Sequence, residues 1–283
     1  MVPQILKASA CPRAALVSFL NSAPLSFSNL DWISINERLE GQYCYVFIEE
    51  DRVKALVSCE PENQSAAWLR LFYSQSDGKH ASYFQDLLDR ALTDLNAADV
   101  QALYALSFKP WQEKLLSDRA FTPFTQIITL SRPSRMDLSP EPRPGQSIRP
   151  MSTEDLQEIE ALDHASFSPP WQLNANALRA AYRACSYSTA AIVDGRIIAY
   201  QMTASSFDAS HLARLAVSPD AQQHGVGSSL VLDSLREAAA RGSTEMTVNT
   251  QIDNAESLRL YTRLGFRQEG KLIPVFQKAV TEA

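Results

Sequence analysis

No apolar run in this 283-residue chain approaches the roughly 18–20 residues that cross a bilayer, and the N-terminus carries no basic-then-apolar secretion signal. A block of lysine and arginine is missing too, and the net charge is -6. Neither a nucleic acid nor a membrane is therefore expected as a partner, and the acidic balance leans weakly toward a cationic substrate. Cysteine is scarce: Cys11, Cys44, Cys59 and Cys185 form no CxxC pair, and His80, His164, His211 and His224 show no ligand spacing. Reduced thiols in a cytoplasmic protein without metal are the expectation. Glycine is also sparse, with nine in all and only Gly41 and Gly78 before residue 141.

What the chain does have is length enough for two cores, each expected to span about 130–150 residues. Between them runs SRPSRMDLSPEPRPGQS (131–147), with prolines at 133, 140, 142 and 144. Prolines so close together cannot continue a helix or a central strand, so this stretch reads as an extended linker. Domains at 1–131 and 147–283, joined by a linker at 132–146, follow.

The second half alternates strands and helices. Ser152 with Asp155 resembles a capping box ahead of Leu156, Ile159 and Leu162 on one helical face. Segments 187–193 and 197–203 flank Asp194-Gly195, a strong hairpin signal. A strand at 211–217 leads to a helix at 225–241, stopped by Gly242. A strand at 244–250, a helix opened by Asp253 with Glu256 and ended at Gly265, and a strand pair over 267–279 complete the half. Such interleaving is α/β or α+β, not a helical bundle.

The most informative stretch is LAVSPDAQQHGVGSSL (215–230), where a strand ends and a helix opens on two glycines. Gly225 and Gly227 permit a tight turn and remove side chains from the path of a ligand. The first N–H groups of such a helix lack internal partners and suit a phosphate. A purely structural turn fits the same residues. The spacing is neither that of a dinucleotide fold nor that of a P-loop.

QQHGVG (222–227) resembles the Q/R-x-x-G-x-G/A signature of the GNAT superfamily of N-acetyltransferases, and LAVSP (215–219) is similar to that family's fourth strand. NAESLRLYTRLGF (254–266) is similar to its N-x-x-(A/S)-x-x-L-Y-x-x-x-G-F signature. The resemblance covers about 146–283. It implies acetyl-CoA as co-substrate, with its pantetheine arm along Leu215, Ala216 and Val217. It also implies a pyrophosphate held at Gln222, Gln223, His224, Gly225, Val226, Gly227 and Ser228. Asn254 matches a position that contacts the cofactor arm, and it equally suits a helix start. Tyr261 matches the tyrosine that protonates the leaving thiolate, a task a phenol can perform.

The base is less marked. Similar enzymes acting on protein N-termini carry a glutamate where this chain has Asn249, which cannot take a proton. Others carry a carboxylate at the position of His211, where an imidazole would serve. Ser166 to Trp171 (SFSPPW) resembles the acceptor loop of ribosomal-protein N-terminal acetyltransferases, with Phe167 or Trp171 able to line it.

The first half reads as a worn copy. A slide of 144 residues sets LRLFYS (69–74) on ARLAVS (213–218), and a helix at 82–95 on the one after Gly225. Ala81 and Tyr83 then replace Gly225 and Gly227, and with a further shift of one residue Lys109 replaces Asn254 and Leu116 replaces Tyr261. Arg70 matches Arg214 in a domain without a cofactor loop, so both arginines read as structural. The expected fold is therefore a tandem of GNAT-like domains, each a mixed, mostly antiparallel twisted sheet flanked by helices, with acetyl-CoA bound only in the second. The acceptor is a small-molecule or peptide amine. A mycothiol-synthase-like enzyme and a non-catalytic acyl-CoA sensor are the alternatives.

Overall fold

The computed structural model describes residues 3–29, 31–134 and 147–280. The chain forms two compact units, Met1–Phe124 with Pro274–Ala283, and Thr125–Ile273.

The first unit contains β1 (Gln4–Lys7), α1 (Arg13–Ser22), β2 (Leu25–Ser28), α2 (Ile35–Glu40), β3 (Cys44–Glu49), β4 (Arg52–Pro61), β5 (Ala66–Ser74), α3 (His80–Ala97), β6 (Ala102–Leu106), α4 (Pro110–Ser117) and the start of β7 (Thr122–Pro133). Its strands lie in the order β1-β3-β4-β5-β6, with β5 and β6 parallel. Glu50 and Asp51, both at positive φ (53° and 59°), make the two-residue turn that returns β3 into β4. Mirror-image turns of that kind match the twist of the strands they join. Helix α3 buries Tyr83, Phe84, Leu87, Leu88, Ala91 and Leu95, one stripe at helical spacing, against Phe72, Leu69 and Val57 of the sheet.

The second unit contains β8 (Ser147–Pro150), α5 (Leu156–Ser166), α6 (Ala175–Ala184), β9 (Tyr187–Val193), β10 (Arg196–Ser205), β11 (Ala209–Val217), α7 (Val226–Ala240), β12 (Glu245–Gln251), α8 (Ala255–Arg263) and the start of β13 (Arg267–Ala279). The order is β8-β9-β10-β11-β12-β7, with β11 and β12 the parallel pair. Asp194 (φ 48°) and Gly195 (φ 78°) form the β9–β10 turn. Hairpin, third strand, helix, parallel strand and helix therefore recur in both units, as the repeat in the sequence implies.

The division differs from a cut at 131 in two places. Residues 127–133 of β7 pair with β12, from Ile127↔Gln251 to Pro133↔Glu245, so the second unit starts at Thr125. At the other end, Val275–Ala279 pair with Leu106–Ala102 of β6 and belong to the first unit. Each of these strands satisfies a row of backbone groups that would otherwise be an open sheet edge. Of the expected linker at 132–146, Arg132 and Pro133 are in β7 and Ser134 follows that strand, while residues 135–146 lie outside the described residues.

All four cysteines are free. Among the described residues no helix is long and apolar enough to cross a membrane, and no group of three or more His, Cys, Asp or Glu is placed to hold a metal.

Candidate active site

The site begins with a fault in β11. Its register with β10 shifts between Met202↔Arg214 and Thr203↔Leu212, so Ala213 is an extra residue and the strand bulges there. On its other side β11 pairs with β12 only from Ala209↔Glu245 to Leu212↔Val248. Beyond that point the two strands part. Ser218 N donates to Ile198 O of β10 (2.8 Å), so by strand alternation Ala216 also faces β10, while Leu215 and Val217 turn their backbone groups to the gap. Of the three residues expected along the cofactor arm, Leu215 and Val217 therefore present main chain to the gap and Ala216 does not. Val217 O is held by Ser166 Oγ (3.1 Å) and Gln222 Nε2 (3.2 Å).

At the end of β11, a single 3-10 turn over Pro219–Ala221 leads to Gln223 (φ 62°) and Gly225 (φ 80°), the N-cap of α7. The helix thus opens at Val226, one residue later than expected. Gly225 offers no side-chain cap, and the first turn holds no acidic residue. Ser229 N is satisfied by Gly225 O (3.0 Å), which leaves the Val226, Gly227 and Ser228 N–H groups facing out of the helix end. Gln223 and His224 are exposed, and His224 Nδ1 lies 2.6 Å from Gln222 O. A methyl on Gly227 would sit 3.4 Å from Val217 Cγ2 and 3.5 Å from Leu260 Cδ2. Anything larger would push the helix start away from the gap.

Tyr261 comes from α8 and is 4% exposed. Its ring meets Phe266 edge-on, with centroids 5.5 Å apart, and packs in the cluster that includes Leu212, Val231 and Val248. Burial pushes its phenol well above the ordinary tyrosine range, so the hydroxyl stays protonated. Asn254, not Asp253, is the N-cap of α8: its Oδ1 accepts from Ser257 N (3.1 Å), while Nδ2 donates to Gln251 Oε1 (3.4 Å).

His211 stands one residue before the last β11–β12 pair. Its Nδ1 lies 2.8 Å from Thr247 Oγ1, its cross-strand neighbour, and burial lowers its pKa. Successive side chains of a strand point to opposite faces, so His211 is on the face opposite Leu212 and hence opposite the Tyr261 cluster. The two candidate catalytic residues approach the gap from different sides of the sheet. Asn249 shares the His211 face, and its Oδ1 accepts from Thr129 Oγ1 (2.8 Å).

Arg214, at the bulge, does not reach into the gap. It forks onto Asp163 and donates Nη2 to Trp171 O (2.7 Å), and its guanidinium lies 3.7 Å from the Phe167 ring centroid. It ties the 166–171 loop to the sheet, in line with a structural role. Neither the role of Asp163 nor the hold of Ser166 on Val217 was legible in the sequence, because each residue meets its partner across 51 residues with no local signal.

The first unit shows the same parting of strands but closes it. Beyond Trp68↔Tyr104, β5 leaves β6, and β2 pairs with the freed edge from Leu25↔Ser74 to Ser28↔Leu71. Those β5 residues are the counterparts of 215–218, so the chain fills its own gap there. The counterpart helix start is occupied as well: the Tyr83 hydroxyl donates to Asp77 Oδ2 (2.8 Å), and Lys79 pairs with Glu49 (3.3 Å). Two carboxylates at that spot oppose an anion.

Residues 156–266 match the family model described as Acetyltransferase (GNAT) family. The chain is 25% identical over 122 residues to an Escherichia coli [ribosomal protein bS18]-alanine N-acetyltransferase, covering 43% of this chain and 81% of that one. It is 35% identical over 74 residues to a mycothiol acetyltransferase of Clavibacter michiganensis, covering 26% of this chain and 24% of the relative. The whole fold resembles a GCN5-related N-acetyltransferase from Sphaerobacter thermophilus (TM-score 0.62, 13% identity, 99% of this chain and 95% of that one). It also resembles a tandem GNAT protein from the clavulanic acid biosynthesis pathway (TM-score 0.60, 13% identity, 97% and 90%). Residues 156–266 are thus a GNAT acetyltransferase-family domain, and the first half is GNAT-like in fold.

Proposed function

We propose that the protein is an acetyl-CoA-dependent N-acetyltransferase whose second unit moves the acetyl group to a primary amine of a small molecule or peptide by direct attack. The observation that carries this reading is the edge of β11 left open at Leu215 and at the Val217 N–H, ending beside the three outward N–H groups of α7. An arm with amide groups can pair with that edge as an added strand would, and a diphosphate suits the helix end. Gln222, Gln223, His224 and Gly225 complete the loop around it, and Asn254 lies at the start of α8.

The Val217 N–H is a donor for the thioester oxygen, where negative charge grows as the amine attacks. His211, neutral because of its burial, takes the proton of the attacking amine through Nε2, while Nδ1 stays with Thr247. When the carbon–sulfur bond breaks, Tyr261 gives its proton to the thiolate. Asn249 is an amide, which does not take up a proton at neutral pH, so it is not invoked as the base. The first unit is inert toward acetyl-CoA, since β2 and Tyr83 take the two places its coenzyme would need.

Release of free thiol from acetyl-CoA, with mass spectrometry of the acceptor, tests this against alanine-starting peptides, amino sugars and simple alkyl amines. Turnover with peptides or with small amines assigns the acceptor class, the latter favouring the mycothiol-synthase-like alternative. Tight acetyl-CoA binding with no turnover across the panel would replace the enzyme by an acyl-CoA sensor.

A further inference from the structure

Arg132 lies on β7, outside the family-matched residues, and its side chain is buried at 3% exposure. Its Nη1 donates to Leu264 O, its Nε donates to Pro133 O (3.2 Å), and its guanidinium carbon lies 5.9 Å from the Phe266 ring centroid. Leu264 is the C-cap of α8, where carbonyls lack internal donors and the helix carries partial negative charge. Phe266 in turn rests edge-on against Tyr261, and its backbone N–H donates to Tyr261 O (3.0 Å). A single cation therefore grips both the end of the helix that carries the tyrosine and the ring the tyrosine leans on.

The contact is costly for a purely structural one. Among the described residues no carboxylate pairs with Arg132, and its Nη2 is buried without a partner. Burying a cation without a counter-ion opposes folding, and an apolar side chain of similar volume would serve packing as well or better. What an apolar residue would not supply is a directional hold on the carbonyl at the end of α8.

We infer that Arg132 is a positioning residue for catalysis: it fixes the end of α8 and the Phe266 ring so that the Tyr261 hydroxyl stays aimed at the departing sulfur. This rests on the reading of Tyr261 as the acid. The strand that carries Arg132 pairs with β12, so the support is built into the sheet and does not come from a loop.

The test is a double-mutant cycle on the full chain, with thiol release from acetyl-CoA and an alanine-starting peptide, and calorimetry of acetyl-CoA binding. Arg132→Met is expected to lower turnover by about tenfold with acetyl-CoA affinity held within about twofold, and to have almost no effect in a Tyr261→Phe background. Arg132→Lys keeps the charge and the fold should Arg132→Met fail to fold; it is expected to lose about threefold in turnover in the wild-type background and nothing in Tyr261→Phe. Equal losses in both backgrounds, or an affinity that falls in step with turnover, overturn the positioning role and leave the acid role standing. A Tyr261→Phe variant with undiminished turnover overturns both.

Discussion

Arg214 and Asp163 meet through two parallel contacts, Nε to Oδ2 and Nη2 to Oδ1, each 2.8 Å. Asp163 also accepts from the Tyr200 hydroxyl and from Leu173 N (2.9 Å), so both its oxygens are fully engaged. The pair is buried, with side-chain exposures of 13% and 0%. Removing one partner strands the other's charge, and Asp163→Asn is expected to cost about 3–5 kcal/mol in urea unfolding. Because Arg214 also holds the Phe167–Trp171 loop, a milder Arg214→Lys should raise KM for the acceptor while leaving KM for acetyl-CoA unchanged. A parallel rise in both would show that the loop does not serve the acceptor.

Gly225 sits at φ 80° and Gly227 against Val217 and Leu260. A side chain at the first position costs about 1–2 kcal/mol of strain, and a bulky one at the second displaces the helix start. The double variant Gly225→Val, Gly227→Val is expected to lose at least about 100-fold in acetyl-CoA affinity, and calorimetry should find no residual site, since we propose none in the first unit.

The pH dependence has a defined sign. Burial lowers the His211 pKa below 6.5, so the unfolded chain binds that proton more readily than the folded one. Stability from neutral His211 is therefore complete above pH 6.5 and lost as pH falls through the lower folded value. The acid limb of kcat/KM should have its midpoint below 6.5, and His211→Gln should remove that limb. Tyr261 is shifted upward from 10.0, so it sets no alkaline limb below that pH.

A fragment of residues 147–283 is expected not to fold, as judged by circular dichroism. It would lack β7, which pairs along β12 and buries Ile128 and Leu130 in the core beneath Tyr261. Those two side chains alone contribute about 3–6 kcal/mol of burial, comparable with the whole stability of a small domain. A well-folded, active fragment would show that the strand is dispensable.

Much of the candidate site is legible in the sequence because it is local. The QQHGVG loop needs a left-handed glycine to open a helix, and Gly225 supplies it. Asp194-Gly195 makes the expected hairpin, and the strand, loop and helix contexts of both motifs are where their spacing puts them. Local signals failed by single residues where two side chains compete for one role, as when Asn254 caps α8 in place of Asp253.

The sequence by itself determined the order of elements, the doubling of that order along the chain, and the residue types around the α7 helix start, since each depends on conformational preferences within a few residues. Tertiary structure alone decided that β11 parts from β12 after Leu212, and that β2 closes the matching gap of the first unit. It also decided that β7 and the end of β13 complete sheets other than those of their sequence neighbours, and that Arg132 reaches the helix of Tyr261. Backbone pairing between strands carries no residue code of its own. Register and partner are chosen by what is buried on each face, and that is known only once the distant parts of the chain have met.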